Sequence, residues 1–352
     1  MRRSLTAPHL AAAATHIGVA VIVLLASIVL AAATGPSSIG MRTLLAGLAD
    51  TLLPHTPQWA RGGAEQQGFI IFTQLRLPRV VLGVIVGAAL AIAGAAFQAV
   101  LRNPLADPYL LGVSSGAGLA VTACIALGVG SGVIASQAMI AGAGFIGGIA
   151  AVAATLIVSR SVGRGHDPLV VVLAGVAVGA LCNAVQTFLQ QAHDTTLRRV
   201  YSWMLGHLAT SSWLDIAIIA VPIMSCIAVL IALSRYLDAL LLGDVESAAL
   251  GLNPERVRLL VIAVATLCTS CAVAASGLIG FVGLVVPHVV RLIAGTTHQR
   301  LLPLTVLYGA AFVVCADTLG RSVLSPAEVP IGVVTAFVGA PFFLVLLRRS
   351  RS

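Results

Sequence analysis

"VVLGVIVGAALAIAGAAFQAVL", Val80–Leu101, contains no ionisable side chain and no proline. A helix needs about 20 apolar residues to cross the roughly 30 Å hydrocarbon core of a bilayer. This run supplies them. Lipid offers no partner to an open backbone amide or carbonyl, so the span is expected to be helical. Working outward, similar runs recur at Leu10–Ala33, Leu110–Val129, Val133–Val158, Leu169–Gln190, Trp213–Leu233, Val257–Ala275, Leu278–Ala294, Leu302–Thr318 and Ile331–Leu347, giving ten candidate helices. The expected fold is an all-α polytopic membrane protein, with residues 1–352 forming one transmembrane domain.

Composition agrees. The 352 residues are 59% hydrophobic and only 9% charged. A soluble globular chain carries roughly 25% charged residues. The net charge of +8 would point to nucleic acid in a soluble protein; here it fits arginines at a membrane surface. All 20 basic residues are arginine. A phosphate-binding Walker loop needs a lysine, so this chain is not a P-loop ATPase, and it has no lysine for a Schiff base.

Arginine placement sets the expected orientation. With the N-terminus inside, thirteen of the 20 arginines fall on inner segments. Positive residues favour the cytoplasmic side, so both termini are expected there. Arg2 and Arg3 followed by an apolar run resemble a signal peptide, but the run exceeds the usual 7–15 residues, and an uncleaved first helix is expected. The longest loop, 34–79, falls outside; "IGMRTLLAGLADTLL" within it has the spacing of a surface helix. Glycines four apart (Gly83/Gly87, Gly112/Gly116, Gly144/Gly148, Gly175/Gly179) predict close helix packing.

The span interiors hold almost no ionisable groups; Asp215 and Asp317 lie near span ends. Proton-coupled carriers bury such groups at midplane, and none is placed there. No HExxH or nucleophile–base arrangement appears within a span, and no metal site or cofactor is expected. Cys268 and Cys271 form a CxxC but read as small apolar residues on one helix face. His288 reads as a helix-end polar group. A transporter without its own energy source needs a partner, and the partner needs a docking surface. Leu241–Arg258, "LLGDVESAALGLNPERVR", is the polar segment that qualifies. Its first part reads as a short helix starting near Asp244 or Ser247. Gly251 suits the position past its end, with Asn253 as N-cap and Pro254 first in the next helix.

Five ordered stretches carry a resemblance: "LRLPRVVLGVIVGAALAIAGAAFQAVLRNPLADPYLLGVSSGAG", "VVLAGVAVGAL", "LGDVESAALGLNPERVR", "SGLIGFVGLVVPHVVRL" and "PAEVPIGVVTAFVGAPFFLVLL". Together they resemble the permease family of type II ABC importers, which take up iron–siderophores, haem and cobalamin. The resemblance implies ten helices per subunit in the bacterial inner membrane and a paired second copy. It also implies two cytoplasmic ATP-binding subunits and a periplasmic binding protein, with 34–79 as a periplasmic loop. The chain itself is then no enzyme. Asp244, Glu246, Ser247, Ala248, Leu250 and Gly251 would form the coupling helix within the cytoplasmic segment 241–258. Asn103 and Leu105 of "NPLA", with Asp167 and Pro168, would form a cytoplasmic gate; Asp167-Pro168 departs from the small hydroxyl residues of the cobalamin member. Arg76, Arg79 and Arg321 match positions that dock the binding protein. Arg198 and Arg199 are candidates for attracting an anionic cargo. The expected cargo is an iron chelate, haem or siderophore, with cobalamin as the alternative and an ion-coupled secondary carrier as the rival mechanism.

Overall fold

The computed structural model describes residues 7–34, 68–128, 133–162, 168–193, 197–208, 212–324 and 327–349. Among them there is no strand. The helices are α1 (Ala7–Ala33), α2 (Leu77–Val100), α3 (Val113–Ala126), α4 (Val133–Ser161), α5 (Pro168–Ala192), α6 (Leu197–Met204), α7 (Trp213–Ala232), α8 (Ser234–Leu240), α9 (Asp244–Ala249), α10 (Pro254–Ser276), α11 (Val282–Ala294), α12 (His298–Ser322) and α13 (Ile331–Arg349). A π-helical turn, Ile71–Arg76, leads into α2. The surface helix expected near residues 39–53 lies outside the described residues, as do Arg2, Arg3 and Asp167.

Among the described residues, seven helices are long and apolar enough to cross a membrane; Val113–Ala126, Val282–Ala294 and Ile331–Leu346 are apolar but shorter. The sequence placed spans at all of these positions. The second and ninth spans run past the expected bounds, from Gly68 and over His298–Ser322, and two others start later than expected. The third span begins at Val113, not Leu110, because Pro108–Leu111 winds as a 3-10 turn and Gly112 takes φ 90°. The eighth begins at Val282, not Leu278, because Gly277 and Phe281 take φ 69° and 67°.

Irregular backbone survives at membrane depth only where protein satisfies it. Here a single phenol does so. The Tyr109 hydroxyl donates to the Ile279 carbonyl at 3.1 Å and accepts from the Ile279 amide at 3.2 Å. The Ser276 carbonyl accepts from the His207 amide at 2.8 Å. Tyr109→Phe strips both partners from Ile279, which is 1% exposed. Leaving buried polar groups unpaired costs about 1–3 kcal/mol. A matching fall in thermal midpoint in detergent is the expected result; an unchanged midpoint would show that Tyr109 supports nothing.

α2 is the central post, buried over most of its length. It packs against α12, α10 and α11; α3 packs on α4 and α5, and α1 lies along α12. Small residues allow this. A Cβ on Gly87 would collide with the Gly309 carbonyl, and one on Gly94 with Gly283. Gly116 and Gly147 exclude each other's Cβ in the same way. The four-residue glycine spacing therefore marks backbone contacts at Gly87, Gly116 and Gly175, whereas Gly112 serves as a left-handed cap.

Of the other residues singled out from sequence, His288 lies in the middle of α11 and not at a helix end. Cys268 and Cys271 are buried and free, the Cys268 sulfur lying 3.7 Å from the Ala89 carbonyl. The His288 ring packs edge-on against Phe342 at 5.8 Å.

Candidate functional site

α2 has 24 residues. At 1.5 Å per residue its ends lie about 36 Å apart. Arg79 sits near its start and Arg102 just past its end, and each gathers a polar cluster. The residues assigned from sequence to the inner and outer faces separate into these two clusters.

At the Arg102 end stands the charged segment. α8, α9 and α10 follow one another through tight turns. Gly243, at φ 126°, opens α9, and Gly251, at φ 82°, follows its end. Asn253 accepts the Arg256 amide at 3.1 Å, and Pro254 begins α10. The two-helix knob and its caps are those the sequence spells. Ser247 faces inward, fully buried, its hydroxyl donating to the Ala239 carbonyl at 2.8 Å. Asp244 is also engaged from within. Its carboxylate receives Arg102, and Arg258 at 3.0 Å. Burial pushes the Asp244 carboxyl upward, but Arg258 and Arg102 outweigh it and hold it below the usual carboxylate range. The pair contribution is thus complete at neutral pH and fades only as pH falls through that lowered value.

With Ser247 inward, the opposite face of α9 is bare. Glu246, Ala248 and Gly251 are exposed. So are Leu242, Val245 and Leu250, at 61%, 79% and 64%. Such a cluster of exposed apolar side chains on a polar knob marks a contact surface. Val245 and Leu242 were not singled out from sequence. For Val245 the signal was available: at 3.6 residues per turn, a residue two before an inward Ser points about 200° away from it.

The expected gate residues sit beside this knob. Asn103 is exposed and its side chain accepts the Leu105 amide at 2.9 Å, closing the turn after α2. Leu105 is half-buried. Pro168 starts α5 and shares a small cavity with Leu101, Leu156, Arg160, Glu255 and Arg258.

At the Arg79 end, the arginines of "RLPR" converge with α12. Arg79 reaches Asp317 at 2.8 Å and Glu328 at 2.9 Å. Arg321 pairs with the other Asp317 oxygen at 2.9 Å and donates to the Thr34 and Ala31 carbonyls at 3.3 Å. Arg76 donates to the Ala32 carbonyl at 3.2 Å. Arg76 and Arg321 are only 5% and 4% exposed. They tie α1 to α2 and α12 and present no free guanidinium to a partner. Arg198 and Arg199, on α6, are exposed. Arg198, Arg79, Tyr201, His207, Asp317 and Glu328 line an open cavity of about 420 Å³.

Among the described residues no group of His, Cys, Asp and Glu is arranged to hold a metal ion. What the arrangement offers is a helical membrane body with an exposed contact knob at one end and an open cavity lined by arginines and carboxylates at the other: the form of a permease subunit. The chain belongs to the FecCD transport family, whose model matches residues 19–349. It is a permease of the type II ABC importers, a multi-pass membrane transporter subunit, and ATP hydrolysis belongs to a separate subunit. It is 38% identical to a cobalamin import permease of Halobacterium salinarum over 93% of this chain and 94% of that protein. It is 40% identical to a hemin transport permease of Yersinia pestis over 80% of this chain and 84% of that one. A solved structure described as the inward-facing conformation of a candidate metal-chelate type ABC transporter superposes with a TM-score of 0.80. It is 33% identical and matches 95% of this chain and 98% of that chain.

Proposed function

We propose that this permease carries an iron chelate, haem or a siderophore complex, from the periplasm to the cytoplasm across the bacterial inner membrane. The observation that carries the cargo class is the exposed Arg198–Arg199 pair beside the open cavity at the Arg79 end. Haem propionates and the carboxylates of iron chelates are anionic, and unpaired guanidinium groups suit them through paired hydrogen bonds. Cobalamin is the second reading, favoured by the relative that matches along 93% of this chain.

On this reading ten helices cross the membrane, with both termini and the α9 knob in the cytoplasm. The separation of polar clusters to the two ends of α2 supports that orientation. α9 is the coupling helix. Leu242, Val245 and Leu250 supply the apolar contact with the ATPase subunit, and Glu246, Ala248 and Gly251 surround it. Asn103, Leu105 and Pro168 form the cytoplasmic gate, together with Asp167, which lies outside the described residues. A second copy completes the pathway. The exposed side of α5, with Leu173, Val176, Leu181 and Phe188, supports a contact beyond this chain.

The periplasmic binding protein docks at the Arg79 end. The set expected to hold it was Arg76, Arg79 and Arg321. Because Arg76 and Arg321 are buried, the docking charge on this reading is the edge formed by Arg79 and Glu328. Charge pairs at such a rim set encounter and register more than affinity.

The test is a panel. The permease and its ATPase subunit are reconstituted in vesicles with binding proteins loaded with haem, a ferric siderophore or cobalamin. Stimulation of ATP hydrolysis by the haem or siderophore form is expected. Stimulation by the cobalamin form alone would replace the iron-chelate reading.

A further inference from the structure

Asp244 was grouped with the residues that touch the ATPase, yet its carboxylate points the other way. Arg102, the residue just before Asn103 of the gate turn, reaches it from the end of α2; Arg258 reaches it at 3.0 Å from the first turns of α10. The Arg102 guanidinium does a second task. It donates to the Leu240 carbonyl at 3.2 and 2.8 Å, closing the end of α8. One side chain therefore holds the last carbonyl of α8 and the first residue of α9. Its own backbone is fixed: the Arg102 amide donates to the Ala99 carbonyl at 3.3 Å and Asn103 to Gln98 at 3.1 Å. Arg102 also sits at φ 48°, in the left-handed region that favours glycine. A residue kept there is held for its side chain.

We propose that Arg102, Asp244 and Arg258 form a clamp that transmits movement of α9 to the gate turn, with Arg102 and Asp244 as positioning residues for transport. The inference rests on the permease reading above and adds to it a mechanical path. α9 presents Val245 and Leu250 outward and Ser247 inward; Asp244 is 51% exposed but is held from the membrane-domain side by Arg102 and Arg258. A push on the outer face moves Asp244, and Asp244 is tied through Arg102 to the residue directly before Asn103. Arg258 keeps the carboxylate in register against α10.

The bland alternative is that the pair is an exposed surface bridge of little worth, with Arg102 serving only to turn the chain. Arg102→Gly separates the two. Glycine fits the φ of 48° without strain, so a mere turn residue tolerates it, while a tether is lost. In vesicles holding permease, ATPase subunit and loaded binding protein, uptake per ATP hydrolysed is measured with labelled haem, ferric citrate and cobalamin as cargo probes. Arg102→Gly is expected to keep the ATPase subunit bound and hydrolysis active, while cargo moved per ATP falls about tenfold, within the usual 5–150-fold range of coupling between sites. Asp244→Asn is expected to do the same. The double variant is expected to be no worse than the worse single, because both break one link. Arg102→Lys, which keeps the charge, is expected to recover part of the loss. Wild-type uptake per ATP in Arg102→Gly would overturn the clamp. Multiplying losses in the double variant, or loss of the ATPase subunit from Asp244→Asn, would also overturn it. Failure of the wild-type chain to bind any ATPase subunit is a different result, and it would remove the permease reading instead.

Discussion

Ala248→Pro is expected to release the ATPase subunit from the complex while the membrane helices still insert. α9 has six residues, Asp244–Ala249. Proline at Ala248 removes a backbone donor and sets its ring against the carbonyl four residues earlier. In a helix interior this costs about 3 kcal/mol or more. A helix of one and a half turns has no length over which to spread the distortion. The change also lies between Val245 and Leu250, the exposed apolar pair on either side. A penalty of about 3 kcal/mol is a factor of about a hundred in an equilibrium constant. Tagged permease should then copurify little ATPase subunit, whereas Ala248→Gly, which keeps the amide, should retain most of it. Full copurification and full binding-protein-stimulated hydrolysis in the proline variant would show that α9 is not the contact.

Asp317→Asn is expected to give the largest loss of stability. Asp317 is 5% exposed by its side chain and faces two guanidinium groups, Arg79 and Arg321. Asparagine keeps the volume but removes the charge and turns an amide NH2 toward one cation. Breaking a buried pair from one side costs about 3–5 kcal/mol, since the remaining charge stays desolvated. Here Arg321, 4% exposed, loses its carboxylate, while Arg79 keeps Glu328. Glu328→Gln is the control: Glu328 also binds Arg79 but is 43% exposed, and surface pairs contribute far less. A steep fall in thermal midpoint is expected for the first variant and a small one for the second. Equal midpoints would mean that Asp317 is not the hub of this end.

Much of this molecule can be read from the chain in order. Hydropathy locates every long helix, because a span is a local composition. The α9 knob is legible for a similar reason: Gly243, Gly251, Asn253 and Pro254 are capping signals that act within a few residues. What escapes is whatever depends on distant partners. Arg79 and Asp317 are 238 positions apart, and Arg102 and Asp244 are 142 apart. No spacing rule joins them. Hence the outer arginines read as free docking charges, while in the fold Arg76 and Arg321 are consumed by α1 carbonyls and Asp317. Hence also Asp244 reads as a free contact residue, while in the fold two arginines hold its carboxylate. The late starts of α3 and α11 were hidden in another way. Leu110 and Leu278 are as apolar as their neighbours, and only the φ values of Gly112, Gly277 and Phe281 stop the helix there.

This permease is expected to move cargo only when a separate subunit hydrolyses ATP. The most direct test reconstitutes it in vesicles, with and without an ATPase subunit, and follows uptake of labelled haem delivered by a loaded binding protein. Uptake is expected only with both the ATPase subunit and ATP, and it should stop when a non-hydrolysable analogue replaces ATP. Uptake by the chain alone, driven by a proton or sodium gradient, would contradict the account.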